Sequence, residues 1–228
     1  MSNKGVIVVI SGFSGAGKGT IVGRLMEKYN DKYSLSISAT TRNPRPGEEH
    51  GKHYFFISKE EFENMIENDQ LVEYAQYVGN YYGTPKEYVE TKLNAGQNVI
   101  LEIEIQGALK IKKKFPDTKL LFVTAPSAEI LKERLIGRGT ETLDVVNARL
   151  SRAYEESLGV EEYDYLVVND VLDEAVDLIN NIITAENTGN KEAVSEHTIT
   201  SNLDFINNMR NKWLEKFSNN ANYFSKSG

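Results

Sequence analysis

The sequence predicts an α/β protein, with a parallel five-stranded sheet covered by helices in three layers, and two observations lead there. Short β-branched apolar runs alternate with longer stretches whose apolar residues recur at spacings of three and four, the pattern of strands joined by crossover helices. The first of these runs passes through a glycine-rich turn directly into a helical pattern, at Gly12 to Thr20.

Taken in order, Val6 to Ile10 reads as a buried strand, β-branched and bounded by Gly5 and Ser11-Gly12. Tyr33 to Ile37 is a weaker strand, and Val99 to Ile103, Leu120 to Thr124 and Tyr165 to Val168 complete the five. Between them, Lys18 to Tyr29, Ile105 to Phe115, Ser127 to Gly137, Thr142 to Leu158 and Leu172 to Ala185 carry helical periodicity. Residues 38 to 84 break the alternation with Gly, Pro, Tyr and short strand-like pieces such as His53 to Ile57, so a small inserted α/β subdomain is expected there. From Asn187 onward the pattern changes again. A linker and one appended amphipathic helix are expected, with Leu203, Ile206, Met209, Trp213, Leu214 and Phe217 on one face.

Composition narrows the function classes. The 228 residues carry 33 Asp plus Glu against 26 Lys plus Arg, a net charge of −7, whereas binders of nucleic acid polymers and anionic membranes usually carry a basic excess. With 40% apolar and 26% charged residues the chain is globular and not disordered. Having no cysteine, it has no disulfide, thiolate metal site or cysteine nucleophile. No apolar run approaches the roughly 20 residues a bilayer span needs, and Met1 to Lys4 is too short for a signal peptide leader. A cytoplasmic enzyme is the expectation.

The strongest local signal is Gly12-Phe13-Ser14-Gly15-Ala16-Gly17-Lys18-Gly19-Thr20, between a strand and a helix, the two flanks a P-loop requires. Its glycines let successive N–H groups point into one concavity, and the helix N-terminus adds partial positive charge, so the loop suits polyphosphate. Lys18 supplies a mobile ammonium for the β and γ phosphates. A hydroxyl just after the lysine can ligate Mg²⁺ or a phosphate oxygen; because Gly19 follows Lys18, a departure from the commonest G-x-x-x-x-G-K-S/T form, it must come from Thr20. ATP and Mg²⁺ are the expected co-substrate and metal.

A second anion site is suggested by Ser36-Ile-Ser38-Ala-Thr40-Thr41-Arg42-Asn-Pro44-Arg45-Pro46-Gly47-Glu48. Arg42 and Arg45 stand three apart in a proline-stiffened loop, and guanidinium forks pair bidentately with phosphate. Taken alone, an exposed arginine pair in a loop is more often just solvated. His50 and His53 have no third ligand near them in sequence, so no metal site is expected there.

With the P-loop in front, the run Ser38 to Glu48, then Gly51-Lys-His-Tyr54, Glu73, Gly79-Asn-Tyr-Tyr82-Gly83-Thr84, Leu101-Glu-Ile-Glu104-Ile-Gln-Gly107 and Arg138-Gly-Thr-Glu-Thr142 resembles the bacterial guanylate kinase family in order and spacing, over residues 5 to 185. The resemblance implies that residues 1–36 and 87–186 form a P-loop NTPase core, that 37–86 bind GMP, and that about 137–150 form a helical lid. It assigns the GMP phosphate to Arg42, Arg45, Tyr54 and Tyr82, and guanine to Ser38, Glu73 and Thr84, with Glu104 as accessory. A carboxylate suits guanine because it accepts from both N1–H and the exocyclic amine, whereas adenine presents an acceptor at N1 and would leave a charge unpaired.

Phosphoryl transfer needs positioning and charge neutralisation, and the acceptor phosphate needs no general base. The resemblance therefore gives the catalytic work to Lys18, Arg45, Arg138 and Arg149. It puts Asn169 and Asp170 near the ATP adenine. Arg134, one turn before Arg138, either contacts ATP or pairs with Glu129 or Glu133. Other readings are a catalytically inactive guanylate-kinase-like phosphopeptide-binding module and a kinase for another nucleoside monophosphate. The expected partners are GMP and ATP, with no nucleic acid polymer and no membrane, and with room for a homodimer. The Lys110, Lys112, Lys113 and Lys114 run reads as a solvated helix face, and residues 187–228 have no assigned role.

Overall fold

A computed structural model of the chain describes residues 4–77, 79–137 and 143–218. Five strands, β1 (Ile7–Gly12), β2 (Tyr33–Leu35), β7 (Asn98–Glu102), β8 (Lys119–Thr124) and β9 (Tyr165–Val168), form a parallel sheet in the order β2-β7-β1-β8-β9. Val8, Val9, Ile10, Val99, Ile100 and Leu120 to Val123 are fully buried. Such unbroken apolar runs belong to a parallel sheet covered on both faces. The chain divides into two compact units, one of residues up to 9 and 26–119, the other of residues 10–25 and 120 onward.

In the first unit, β2 pairs with β7 in the register Tyr33↔Asn98 to Leu35↔Ile100. A second sheet, ordered β4-β3-β6-β5, is made of β3 (Ala39–Thr40), β4 (Phe55–Phe56), β5 (Leu71–Tyr77) and β6 (Asn80–Pro85). Its own small core is Ala39, Phe62 and Leu71, with Phe55, Ile57, Met65, Ile66 and Tyr81 packed around them. Phe62 lies on α2 (Lys59–Glu67), a helix the periodicity reading does not predict. The missed signal is at its start. Ser58 accepts from the Glu61 N–H at 3.1 Å and the Glu61 carboxylate accepts from the Ser58 N–H at 2.8 Å, a capping box that satisfies two otherwise orphaned donors. A further unpredicted helix, α3 (Lys86–Asn94), buries only Val89 and Leu93, too sparse an apolar pattern to read in advance.

Four lysines on α4 (Ile105–Lys114) and in its last turn were expected to be solvated. Two are structural instead: Lys114 binds the Asp69 carboxylate at 2.5 Å and the Leu71 carbonyl at 3.1 Å, and Lys112 binds the Thr118 carbonyl at 2.6 Å. Both partners of Lys114 lie more than 40 residues away in the chain, which sequence spacing does not reveal.

In the second unit, β8 pairs with β9 from Leu121↔Tyr165 to Thr124↔Val168. Its helices are α1 (Lys18–Lys28), whose last three residues belong to the first unit, α5 (Ala128–Ile136), α6 (Leu143–Ser157), α7 (Leu172–Thr188) and α8 (Leu203–Ser218). α7 runs three residues beyond the predicted Ala185, because nothing breaks it before Gly189, which ends it at φ +77°. The expected linker after it is packed: Val194 and Ile199 are buried, Thr198 bridges Tyr165, and the Ile199 N–H donates to the Asp164 carbonyl at 3.1 Å. α8 buries Ile206, Met209 and Trp213. The side chains of Leu214 and Phe217, predicted on the same face, lie outside the described residues. Among the described residues, no helix is long and apolar enough to cross a membrane.

Candidate functional site

The phosphate loop lies in the second unit. Glycine is required at two of its corners. At Gly12, φ is +153° and a Cβ would lie 2.1 Å from the Val123 carbonyl oxygen; at Gly17, φ is +90° and a Cβ would lie 2.5 Å from Asn169 Nδ2. Both are regions and contacts that L side chains avoid. The Ile21 N–H closes the first helical bond to the Gly17 carbonyl at 3.0 Å, so α1 begins at the loop with its N-terminal donors at the end of β1. Lys18 Nζ folds back onto the Gly12 carbonyl at 2.6 Å and the Phe13 carbonyl at 3.2 Å. Ala16 and Gly15 are buried, while Gly19 and Thr20 are exposed in the first turn of α1.

Two predicted residues bond to this loop, and a third bonds to one of them. Arg149 Nη1 donates to Ser14 Oγ at 2.8 Å, Asn169 Nδ2 donates to the Ala16 carbonyl at 2.8 Å, and Arg134 Nη1 donates to the Asn169 carbonyl at 2.9 Å. Arg134 thus joins the strand end carrying Asn169 instead of an acidic neighbour on its own helix. Asp170 follows Asn169 and is exposed. Arg138 and most of the expected lid loop lie outside the described residues. Among the described residues no cluster of three or more His, Asp or Glu side chains forms a metal cage. Thr20, the hydroxyl expected to ligate Mg²⁺, is exposed, and a single protein hydroxyl fits an ion that is held chiefly by substrate phosphates and water.

The second group of predicted residues lies in the first unit. Arg42 Nη2 meets Glu48 Oε1 at 2.8 Å, and its guanidinium stands over the rings of Tyr54 at 5.6 Å and Phe56 at 5.8 Å. Tyr54 and Tyr82 meet edge to face at 6.1 Å. The hydrogen bond to Glu48, ahead of a smaller contribution from the Tyr82 phenol, raises the Arg42 pKa above its ordinary value. Glu48 is held down to about 2, first by Arg42 and then by the Arg45 N–H, which donates to its other oxygen at 2.7 Å. Arg45 to Glu48 is a tight turn, closed by the Glu48 N–H on the Arg45 carbonyl at 3.0 Å with Gly47 at φ +86°, which fits Pro46 followed by Gly47. The Arg45 side chain is exposed. Glu48 is the organising residue that sequence reading left without a role. Its only advance signal was a carboxylate three residues after one arginine and six after another.

Beside this cluster, Thr84 Oγ1 donates to Glu73 Oε1 at 2.9 Å from the neighbouring strand. Thr84 is fully buried. Burial raises the Glu73 pKa above the ordinary carboxylate value, partly offset by the Thr84 hydrogen bond and the Lys110 charge. A pocket of about 180 Å³ is lined by Ser36, Ser38, Tyr54, Thr84 and Glu102 among others. The Ser36 hydroxyl is buried there with no hydrogen-bond partner among the described residues, an orphan that a polar ligand would satisfy. Glu104, predicted as accessory, is the exposed N-cap residue of α4 and makes no capping bond, while Glu102 sits on the pocket wall.

Comparison with known proteins bears on both groups. A family model described as guanylate kinase matches residues 4–186. A protein named guanylate kinase from Streptococcus thermophilus (strain CNRZ 1066) is 50% identical over 186 residues, 82% of this chain and 89% of its own length. One of the same name from Clostridium perfringens (strain 13 / Type A) is 53% identical over 184 residues, covering 81% and 85%. The crystal structure of guanylate kinase from Anaplasma phagocytophilum superposes with a TM-score of 0.63 at 34% identity, covering 81% of this chain and 87% of that one.

Proposed function

Because the chain belongs to the guanylate kinase family, we propose that it transfers the γ-phosphoryl group of ATP to GMP, giving ADP and GDP. The observation that carries the choice of acceptor is the Glu73–Thr84 pair, 2.9 Å apart on the sheet that also bears Tyr82. A partly buried carboxylate beside a fully buried hydroxyl is a donor–acceptor set for the N1–H, amine and carbonyl edge of guanine. Ser38 and the orphan Ser36 hydroxyl line one pocket with Thr84, whereas Glu73 lines a separate one with Tyr74 and Lys110. Arg42, Arg45, Tyr54 and Tyr82 take the GMP phosphate in this reading, with two charges from arginine and two phenol donors that add none. Residues 37–86 act as the GMP-binding part and residues 137–150, with Arg138 and Arg149, as the lid.

ATP occupies the Gly12–Thr20 loop, its phosphates on the loop N–H groups and Lys18, with the adenine toward Arg134, Asn169 and Asp170. In the transfer step an oxygen of the GMP phosphate attacks the γ-phosphorus in line, and the bond to the β,γ-bridging oxygen breaks with its electron pair leaving on ADP. No base is needed, since that phosphate is already an anion near neutral pH. Lys18 must give up its two carbonyl partners, at 2.6 and 3.2 Å, to reach the phosphates. An ammonium already held at the loop pays little ordering entropy for that move. Mg²⁺, held by phosphate oxygens and Thr20, would neutralise charge on the β and γ phosphates. Arg149, already hydrogen-bonded to Ser14, and Arg45 neutralise the charge spread over the transferring group. ATP and GMP are cytoplasmic metabolites, and the enzyme is placed there on that ground.

Thermal shift tests the two sites separately. GMP alone and a non-hydrolysable ATP analogue alone should each raise the melting temperature, because a ligand that binds only the folded state must do so. Stabilisation by AMP equal to that by GMP would contradict the guanine assignment.

A further inference from the structure

The family match ends at residue 186, but the chain goes on to lay a helix against the phosphate loop. Trp213 of α8 is 1% exposed, and its ring stands edge-on to Phe13 at 5.0 Å and 88°. Phe13 is the second residue of the loop. It is 3% exposed, it packs in turn on Phe122 at 4.7 Å, and its carbonyl accepts from Lys18. One turn earlier on α8, Met209 Sδ accepts a hydrogen bond from Thr124 Oγ1 at 3.4 Å.

Arg210 makes the second attachment. It donates to Ser157 Oγ at 3.2 Å, to the Ser157 carbonyl, and to both oxygens of Glu161 at 2.5 and 2.7 Å. Ser157 ends α6, so the guanidinium caps the negative end of that helix. From the same helix Arg149 reaches Ser14 of the loop. One helix therefore fixes the loop at Phe13 and the base of the helix that touches it at Ser14. The indole Nε1 is buried with no hydrogen-bond partner among the described residues. Leaving that donor unpaired is costly, so what Trp213 contributes here is shape.

We infer that Trp213 is a positioning residue for ATP, acting through the Phe13 ring to hold the phosphate loop in its binding conformation. A phosphate nest binds well only when its N–H groups are already aimed, and the ring fixes the residue between Gly12 and Ser14 before the nucleotide arrives. The inference rests on the assignment of Gly12–Thr20 to ATP.

Trp213 is the only tryptophan of the chain, so indole fluorescence of the full-length protein comes from this one site. A non-hydrolysable ATP analogue should change the emission, with a midpoint matching the analogue's thermal-shift titration, whereas GMP alone should not. In steady-state kinetics, Trp213→Ala should raise the ATP KM about tenfold and leave the GMP KM within twofold. Trp213→Phe, which keeps a ring against Phe13, should recover most of that loss. Phe13→Ala and Trp213→Ala should raise the ATP KM less than additively when combined, because they share the contact between the two rings. A Trp213→Ala enzyme that melts earlier but keeps its ATP KM within twofold would reduce α8 to a staple and overturn the inference. If Trp213→Ala does not fold, the wild-type fluorescence decides, and unchanged emission at saturating analogue overturns it. A wild-type protein that is not stabilised by the ATP analogue removes the loop assignment itself, and this inference with it, before any variant is made.

Discussion

Glu73 and Glu48 are both glutamates in the first unit, and their surroundings push them in opposite directions. Burial raises the Glu73 pKa, so the native state holds its proton more tightly than the unfolded chain, and stability falls as pH rises past about 4.5 toward the raised value. On the proposed contact, GMP would offset that cost, since its N1–H and exocyclic amine favour the ionised form, which accepts at both oxygens. Stabilisation by GMP should therefore shrink on acidification through that interval, and in Glu73→Gln this component should vanish. The same variant should raise the GMP KM by about 10- to 200-fold, the equivalent of roughly 1.5–3 kcal/mol for a hydrogen bond to a charged group. An unchanged KM in a folded Glu73→Gln protein would count against guanine recognition. Glu48 is held down to about 2, so its contribution is complete above about 4.5 and is lost as pH falls toward 2. The melting temperature of Glu48→Gln should accordingly fall less steeply between pH 5 and 3 than that of the wild type, and its GMP KM should rise as Arg42 loses its orienting partner. Glu73 was legible in the sequence because its neighbours formed a recognisable series. Glu48 was not, since its role depends on a turn that swings its carboxylate onto two arginine-bearing residues at once.

Helix starts and loop corners explain most of what sequence reading found and missed among the elements. The phosphate loop was fully legible, because glycine spacing, a strand before and a helix after are all local features. Gly17→Ala should show how strict that loop is: the added Cβ would meet Asn169 Nδ2 at 2.5 Å with φ at +90°, and a loss of at least tenfold in ATP affinity with GMP binding retained is expected in paired titrations. α2 was missed, because its periodicity is weak and the capping box that starts it, Ser58 with Glu61, went unread. Ser58→Ala should cost about 1 kcal/mol in urea unfolding, which would loosen the small core around Phe62. The docking of α8 was half legible. Its apolar face shows in the spacing of Ile206, Met209 and Trp213, but its partner Phe13 lies 200 residues away in the chain and no local rule links them.

Over the whole molecule, the net charge of −7 and the binding of two polyanions are compatible because charge acts locally. Lys18 and Arg149 stand at the phosphate loop and Arg42 is fixed in the other unit by its own carboxylate. The fold class was legible from the alternation of elements, whereas the packing of residues after 186 was not, since Asn-rich composition looks the same in a linker and in a docked segment. Burying one tryptophan removes about 200 Å² from water, worth roughly 5 kcal/mol at about 25 cal/mol per Å² as an upper estimate. At about 2–4 °C per kcal/mol for a chain of this size, deleting residues 187 onward should lower the melting temperature by about 10 °C or more, measurable by calorimetry.

The most direct test of the account is a coupled assay of ADP release from ATP and Mg²⁺ with GMP, AMP, CMP and UMP offered in turn. GMP should stimulate release far above the other three, and Lys18→Ala should abolish the stimulation. Equal rates with all four, or none with GMP, would contradict the assignment.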